Sequence, residues 1–192
     1  MNGYTSMADT ELMFHLQRGE TLAFDELYKR YSKPLLGYFV RMLNYDKPKA
    51  QDALHDLFIK VIEKPHLFDT KKPFRTWIYT IAYNNCKNQY KHTEIVREAH
   101  QELKHTEELL DERFFVSAAA KMDAKEFKKA LLDVLSTLSH DKKTTFILRY
   151  QEDKPINEIA EIMDCSEGTV KSRIHYTIKI LAEKLQLFNP EN

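Results

Sequence analysis

The run Pro155-Ile-Asn-Glu-Ile-Ala-Glu-Ile-Met-Asp-Cys-Ser-Glu-Gly-Thr-Val-Lys-Ser-Arg-Ile174 decides how this chain is read. Pro155 suits the first turn of a helix, where its missing N–H costs nothing. Ile156, Ile159, Ala160 and Met163 recur with helical spacing, and the small Ala160 lets a second helix cross closely. Asp164-Cys165 makes a short turn, and Ser166 stands where the next helix needs an N-cap. Val170, Ile174, Ile178, Leu181 and Leu185 form the inner face of that helix. Its other face carries Thr169, Lys171, Ser172, Arg173, His175, Tyr176 and Lys179. The pattern is a helix-turn-helix whose second helix presents cations, hydroxyls and planar rings. A rod about one major groove wide, bearing donors for base edges and phosphates, needs that set of side chains. Periodicity alone leaves one alternative open, an ordinary helix pair with a solvated basic face.

Working outward, nearly every other apolar pattern also has the helical period. Residues 122–138 and 140–150 are expected to be helices of the same unit. Towards the N-terminus, Asp9 or Thr10 can cap a first helix ending at Gly19, a plausible left-handed stop. Leu22, Ala23, Leu27, Tyr31, Leu35, Tyr38, Phe39 and Met42 follow, with Pro34 expected to kink or divide the stretch. Asp46 can cap a helix that starts near Pro48 and ends at Pro65. Residues 65–73 read as a loop bounded by prolines. From Phe74 to about Lys91 the helical period returns, with Trp77, Ile78, Ile81 and Ala82 on one side. The fold class expected is all-α: two small helical domains, residues 8–92 and 121–187, joined by a linker over 93–120, the second a helix-turn-helix (winged-helix-like) domain.

Composition agrees. Four glycines in 192 residues argue against turn-rich β folds and Gly-rich phosphate loops. Cys86 and Cys165 are far apart, which suits a reducing compartment rather than a disulfide framework. No Cys/His spacing fits a metal, and no cofactor is expected. No signal pattern opens the chain and no apolar run nears the ~18 residues that span a bilayer, so it reads as cytoplasmic without membrane insertion. The net charge of zero conceals an uneven distribution: residues 64–92 hold 6 Lys and Arg against 1 acid, and residues 93–113 hold 3 against 7. A cationic surface is therefore followed by an anionic segment. Eight histidines and pairs such as Glu107-Glu108 show no nucleophile–base–orienter spacing, so no enzyme is expected.

At this point the residues carry a resemblance. Leu138-Ser, Phe146-Ile-Leu-Arg-Tyr150, Glu158-Ile-Ala and Ser166-Glu-Gly-Thr-Val-Lys-Ser-Arg173 resemble the fourth conserved region of bacterial sigma factors. Arg18-Gly-Glu, Ala23-Phe, Leu27-Tyr, Asp52-Ala-Leu-His-Asp-Leu-Phe58 and Phe74-Arg-Thr-Trp-Ile-Tyr-Thr-Ile-Ala82 resemble the second. Both occur in the family's order with only a short linker between them, the layout of the extracytoplasmic-function (ECF) subfamily. The resemblance implies a factor that binds core RNA polymerase and directs promoter-specific initiation, restrained by an anti-sigma protein. It implies that Asp52, His55 and Asp56 dock on the polymerase β′ clamp helices, with His55 where Gln is usual, and that the β flap is a further contact.

The loop 65–73 resembles the segment that traps an unstacked base of the minus-ten element. Phe68, Lys71, Lys72, Arg75, Tyr79, Tyr83, Asn84 and Lys87 are the residues implied for that element. Cations interleaved with aromatics are what single-strand capture requires. The spacing alone makes Trp77 and Ile81 core, while Tyr79, Tyr83 and Asn84 fit either a core or a DNA-facing role. For the minus-thirty-five element, Lys171, Ser172, His175 and Tyr176 are the implied base readers, and Thr169, Arg173 and Lys179 the phosphate contacts. Relatives often have Arg where this chain has Tyr176. Two rival readings remain, a sigma mimic that sequesters a regulator and a helix-turn-helix repressor. The retained cationic and aromatic faces argue against the first, and the sigma-like N-terminal half against the second.

Overall fold

A computed structural model describes residues 3–94 and 124–186 of the protein. Eight α-helices lie among them: α1 Asp9–Gln17, α2 Leu22–Met42, α3 Lys47–Glu63, α4 Phe74–Glu94, α5 Ala124–Ser136, α6 His140–Tyr150, α7 Ile156–Met163 and α8 Glu167–Gln186. Short 3-10 turns cover Gly3–Ser6 and Pro65–Leu67. No strand occurs among the described residues, so the helix-turn-helix carries no β wing there. The acidic segment read as a linker lies almost wholly outside the described residues.

Local chemistry explains the boundaries. The Asp46 carboxylate accepts from the Lys49 amide and caps α3. The Ser166 hydroxyl accepts from the Thr169 amide and caps α8. Gly19 has φ 86°, the left-handed stop expected after α1. Asp164, with φ 49°, is the left-handed C-cap that turns α7 into α8. Two expectations are corrected. Pro34 lies inside one continuous α2 rather than dividing it. The N-cap of α1 is Ala8, whose amide donates to the Glu11 carboxylate, a half capping box. Asp9, inside the helix, is occupied by Arg30 and the Tyr31 hydroxyl.

In the first half, α2 packs on α1, α3 and α4; in the second, α8 packs on α5, α6 and α7. The two halves touch: α4 lies along α7, and both α2 and α4 touch α6. One continuous apolar core runs from Leu12 and Leu27 through Ile78 and Ala82 to Ile147, Ile159, Met163 and Val170. A smaller core under α5 holds Val134, Leu138, Phe146, Leu181 and Leu185. The inner-face residues read from the sequence, Val170, Ile174, Ile178, Leu181 and Leu185, are all buried.

Candidate nucleic-acid interface

The α7–turn–α8 unit presents the face anticipated for it. Lys171 and Ser172 are exposed, and Thr169, Arg173, His175, Tyr176 and Lys179 are half-buried along the same side. The Ser172 hydroxyl donates back to the Gly168 carbonyl at 3.0 Å, which leaves its lone pairs outward. Lys171 stands 3.9 Å from Glu167, a loose surface pair that contributes little. The His175 and Tyr176 rings meet edge to face at 5.7 Å, so each limits the rotamers of the other. Arg173 differs from its neighbours. Its guanidinium donates to Asp141 at 2.5 Å and to the Cys165 sulfur at 3.6 Å.

The first half offers a second cationic face. Lys71, Lys72 and Arg75 are exposed at and after the loop, and Asn84 is exposed on α4. Phe68 is buried, packed on the rings of Phe74 and Trp77, and so pins the loop to the helix. Gln17 holds the same loop by donating to the carbonyls of Pro65 and Phe68 at 2.9 Å. Trp77 is half-buried and Ile81 buried, as their spacing suggests. Asp52, His55 and Asp56 are exposed together on α3.

Tyr79 and Tyr83 resolve the ambiguity their spacing left, in an unexpected way. Both are buried, and their hydroxyls point into the other half of the chain. Tyr79 donates to Glu152 at 2.6 Å and Tyr83 to Asp141 at 3.0 Å. Burial, reinforced by the neighbouring carboxylate, pushes both phenols well above their ordinary value. Lys87 stands over the Tyr83 ring at 5.5 Å. Arg41 also donates to Glu152. Asp141 is pulled down to about 2, first by its hydrogen bond with His140, then by Arg173 and Tyr83.

Two lysines complete this contact. Lys143, 2% exposed, donates to the Met42 carbonyl at 3.0 Å, to Asn44 Oδ1 at 2.5 Å and to the Tyr90 hydroxyl at 3.3 Å. The Met42 carbonyl belongs to the last turn of α2, where the negative end of the helix dipole favours a cation. Burial lowers this lysine to about 8. Lys154 is fully buried over the Tyr79 ring at 3.9 Å and donates to Glu158 at 2.5 Å. Burial lowers it too, with Glu158 opposing. None of Asp141, Lys143, Glu152 and Lys154 was singled out from the sequence. Lys143 alone left a trace there: it sits between His140 and Ile147 at helical spacing, a cation in an apolar stripe.

The described residues hold no group of His, Cys, Asp and Glu that could bind a metal, and no helix long and apolar enough to cross a membrane. The fold and its two faces define a two-part, all-helical DNA-reading protein. Residues 27–94 match the family model "Sigma-70 region 2", and residues 128–181 match "Sigma-70, region 4". Among curated relatives, the RNA polymerase sigma-H factor of Pseudomonas aeruginosa is 30% identical over 95% of this chain and 96% of its own. The ECF RNA polymerase sigma-E factor of Haemophilus influenzae is 30% identical over 94% and 96%. The solved structure of CnrH with the cytosolic domain of CnrY covers 94% of this chain and 99% of that one, at TM-score 0.68 and 19% identity. That of the sigma factor RpoE with the anti-sigma factor NepR from Bartonella quintana covers 85% and 96%, at TM-score 0.60 and 22% identity. The chain belongs to the sigma-70 family of RNA polymerase sigma factors, in the ECF subfamily. Such a protein regulates transcription by giving core polymerase its promoter.

Proposed function

We propose that the chain acts stoichiometrically in the cytoplasm and not as an enzyme, binding core polymerase through both halves and promoter DNA through two faces. Asp52, His55 and Asp56 dock on the β′ clamp helices; the second half meets the β flap. Lys171, Ser172, His175 and Tyr176 read the edges of the minus-thirty-five element, while Thr169, Arg173 and Lys179 anchor its phosphates. On the minus-ten side, Lys71, Lys72, Arg75 and Lys87 attract the backbone. Tyr79, Tyr83 and Asn84 receive the melted strand, and Phe68 contributes by fixing the loop. Stacking on such rings offsets the few kcal/mol spent in unstacking each base. An anti-sigma protein restrains the factor; the similar sigma factor RpoE was solved in complex with the anti-sigma factor NepR.

The observation that carries this reading is the pairing, in one chain and in family order, of both sigma regions. Run-off transcription with purified core polymerase tests it. Promoter-dependent transcripts only in the presence of the chain are expected. Their absence, or nanomolar sequence-specific DNA binding by the chain alone, would favour a sequestering mimic or a repressor instead.

A further inference from the structure

Most of the loop proposed to trap a minus-ten base faces solvent. From His66 to Pro73 only Phe68 is buried. The hydrogen bonds at the loop's tip are local: the Lys71 amide donates to the Asp69 carboxylate and the Lys72 amide to the Asp69 carbonyl. An open cleft of about 450 Å³ separates the tip at Thr70 from Phe14 of α1. The Phe68 ring, packed on Phe74 and Trp77, provides one anchor. Gln17, at the end of α1, provides another: its amide nitrogen donates at 2.9 Å to the carbonyls of both Pro65 and Phe68. An amide NH2 has two hydrogens, and both are used here. These two carbonyls flank the 3-10 turn at the loop's start, 48 and 51 positions from Gln17. The helix that carries Gln17 is itself fixed at its other end. Arg30 of α2 donates to Asp9 at 2.7 Å and to the carbonyls of Met7 and Thr5 at 2.9 Å. Helix α1 is therefore a bracket, bolted to α2 at its start and to the loop at its end.

We propose that Gln17 is the positioning residue of the minus-ten loop: its paired donation fixes the loop's start against α1 and so places the exposed stretch from Asp69 to Lys72 before DNA arrives. This rests on the sigma reading for the identity of the loop's ligand. Gln17 touches no base; it acts through the two carbonyls. The reason is entropic. An exposed loop that orders itself only around an extruded base loses conformational freedom on binding, and it admits wrong bases by adjusting to them. A loop already held loses less and adjusts less. The donation also has a chemical sign. Two carbonyl oxygens facing one side chain call for a donor, so an apolar side chain of the same length fills the space but leaves the pair unsupported.

The test compares wild type, Gln17→Met and Gln17→Lys in the full chain. Trp77 is the only tryptophan, and its ring stands 5.2 Å from that of Phe68, so its fluorescence reports whether the loop is seated. Gln17→Met should raise acrylamide quenching of Trp77 and shift its emission to the red, with far-UV helicity unchanged. Gln17→Lys, whose ammonium again donates to carbonyls, should return both signals towards wild type. In the holoenzyme, a promoter library randomised only in the minus-ten element gives the functional readout. The preference for the best sequence should fall about tenfold for Gln17→Met, the weight of one to two ordinary hydrogen bonds, and recover for Gln17→Lys. The ranking of minus-thirty-five variants should not move. Unchanged quenching or an unchanged minus-ten preference in Gln17→Met would overturn the proposal. Equal loss in both variants would also overturn it, by making Gln17 a packing residue. A wild-type chain that never supports run-off would instead overturn the sigma reading, while Trp77 quenching still decides whether Gln17 holds the loop.

Discussion

Replacing Lys143 with Met should cost little at pH 7 and more at pH 9. The lysine is buried beside the end of α2 with three acceptors and no carboxylate. Its drop from the ordinary 10.5 to about 8 corresponds to a penalty of roughly 3 kcal/mol against the folded state at neutral pH, at about 1.4 kcal/mol per tenfold change. An apolar side chain of similar length escapes this penalty but gives up the three hydrogen bonds, so the exchange is nearly neutral there. The sign of the pH effect follows from proton binding. The unfolded chain holds this proton more tightly than the folded one, so stability rises with pH from about 8 towards 10.5 as the penalty is relieved. By pH 9 roughly 1 kcal/mol of it has gone. Cys86, pushed up to about 12 by burial, acts in the opposite direction above pH 9, as do Tyr79 and Tyr83 above pH 10. All three remain in the mutant, and although Cys86 and Lys143 act on each other, burial keeps the folded-state thiol protonated through pH 9, so the difference over pH 7–9 reports Lys143. Urea unfolding of both at pH 7 and pH 9 is the assay. The wild type should gain about 1 kcal/mol on Lys143→Met across that interval. A pH-independent gap would show that Lys143 is not buried as a cation and that the halves do not close on it.

Other perturbations address the two faces. Tyr83→Ala with Asn84→Ala should impair open-complex formation more than polymerase binding; unchanged permanganate reactivity of bubble thymines would make these side chains idle in melting. Arg173→Ala should weaken all promoters alike and reduce the salt slope by about one unit. His175→Ala or Tyr176→Ala should reorder upstream-element variants by roughly 1–3 kcal/mol at one or two positions. A promoter library in which the ring mutants keep the wild-type ranking would count against that reading face. Ser166→Ala should lower stability by about 1 kcal/mol through loss of the α8 cap; an unmoved urea midpoint would show the cap to be redundant.

The all-helical fold was legible because its signals are local. Period-3.6 stripes such as Val170, Ile174, Ile178, Leu181 and Leu185 name a buried face without reference to anything distant. Caps such as Asp46 and Ser166 read just as directly, since donor and acceptor are three residues apart. Pro34 misled because tertiary packing on both sides of α2 can carry a helix through a proline. The joining of the halves was not legible at all. Glu152 and Asp141 look like ordinary surface acids, and their partners lie 73 and 58 positions away. A tyrosine in an amphipathic helix reads as either core or ligand-facing, and no pattern foretells that its hydroxyl meets a carboxylate from another domain. Helical period and charge pointed to two domains joined by a linker; the continuous core through Ile78, Ile147 and Ile159 adds that the two are in contact.

That docking changes how weak DNA binding by a lone factor would be understood. A loose tether leaves both faces open and makes binding weak by entropy alone, because two sites must be brought into register. Docked halves make it weak by competition, because the same tyrosine and arginine donors already have acceptors. The two accounts differ in their response to the loss of one carboxylate. On a tether, neutralising Glu152 changes only a distant surface charge. In the docked chain it frees Arg41 and Tyr79 together and leaves Lys154 buried with Glu158 alone for charge compensation, a state that low-dielectric surroundings penalise. Buried ion pairs are poor sources of net stability but are costly to break one-sidedly. An interface built on them therefore yields to a partner that supplies replacement charges.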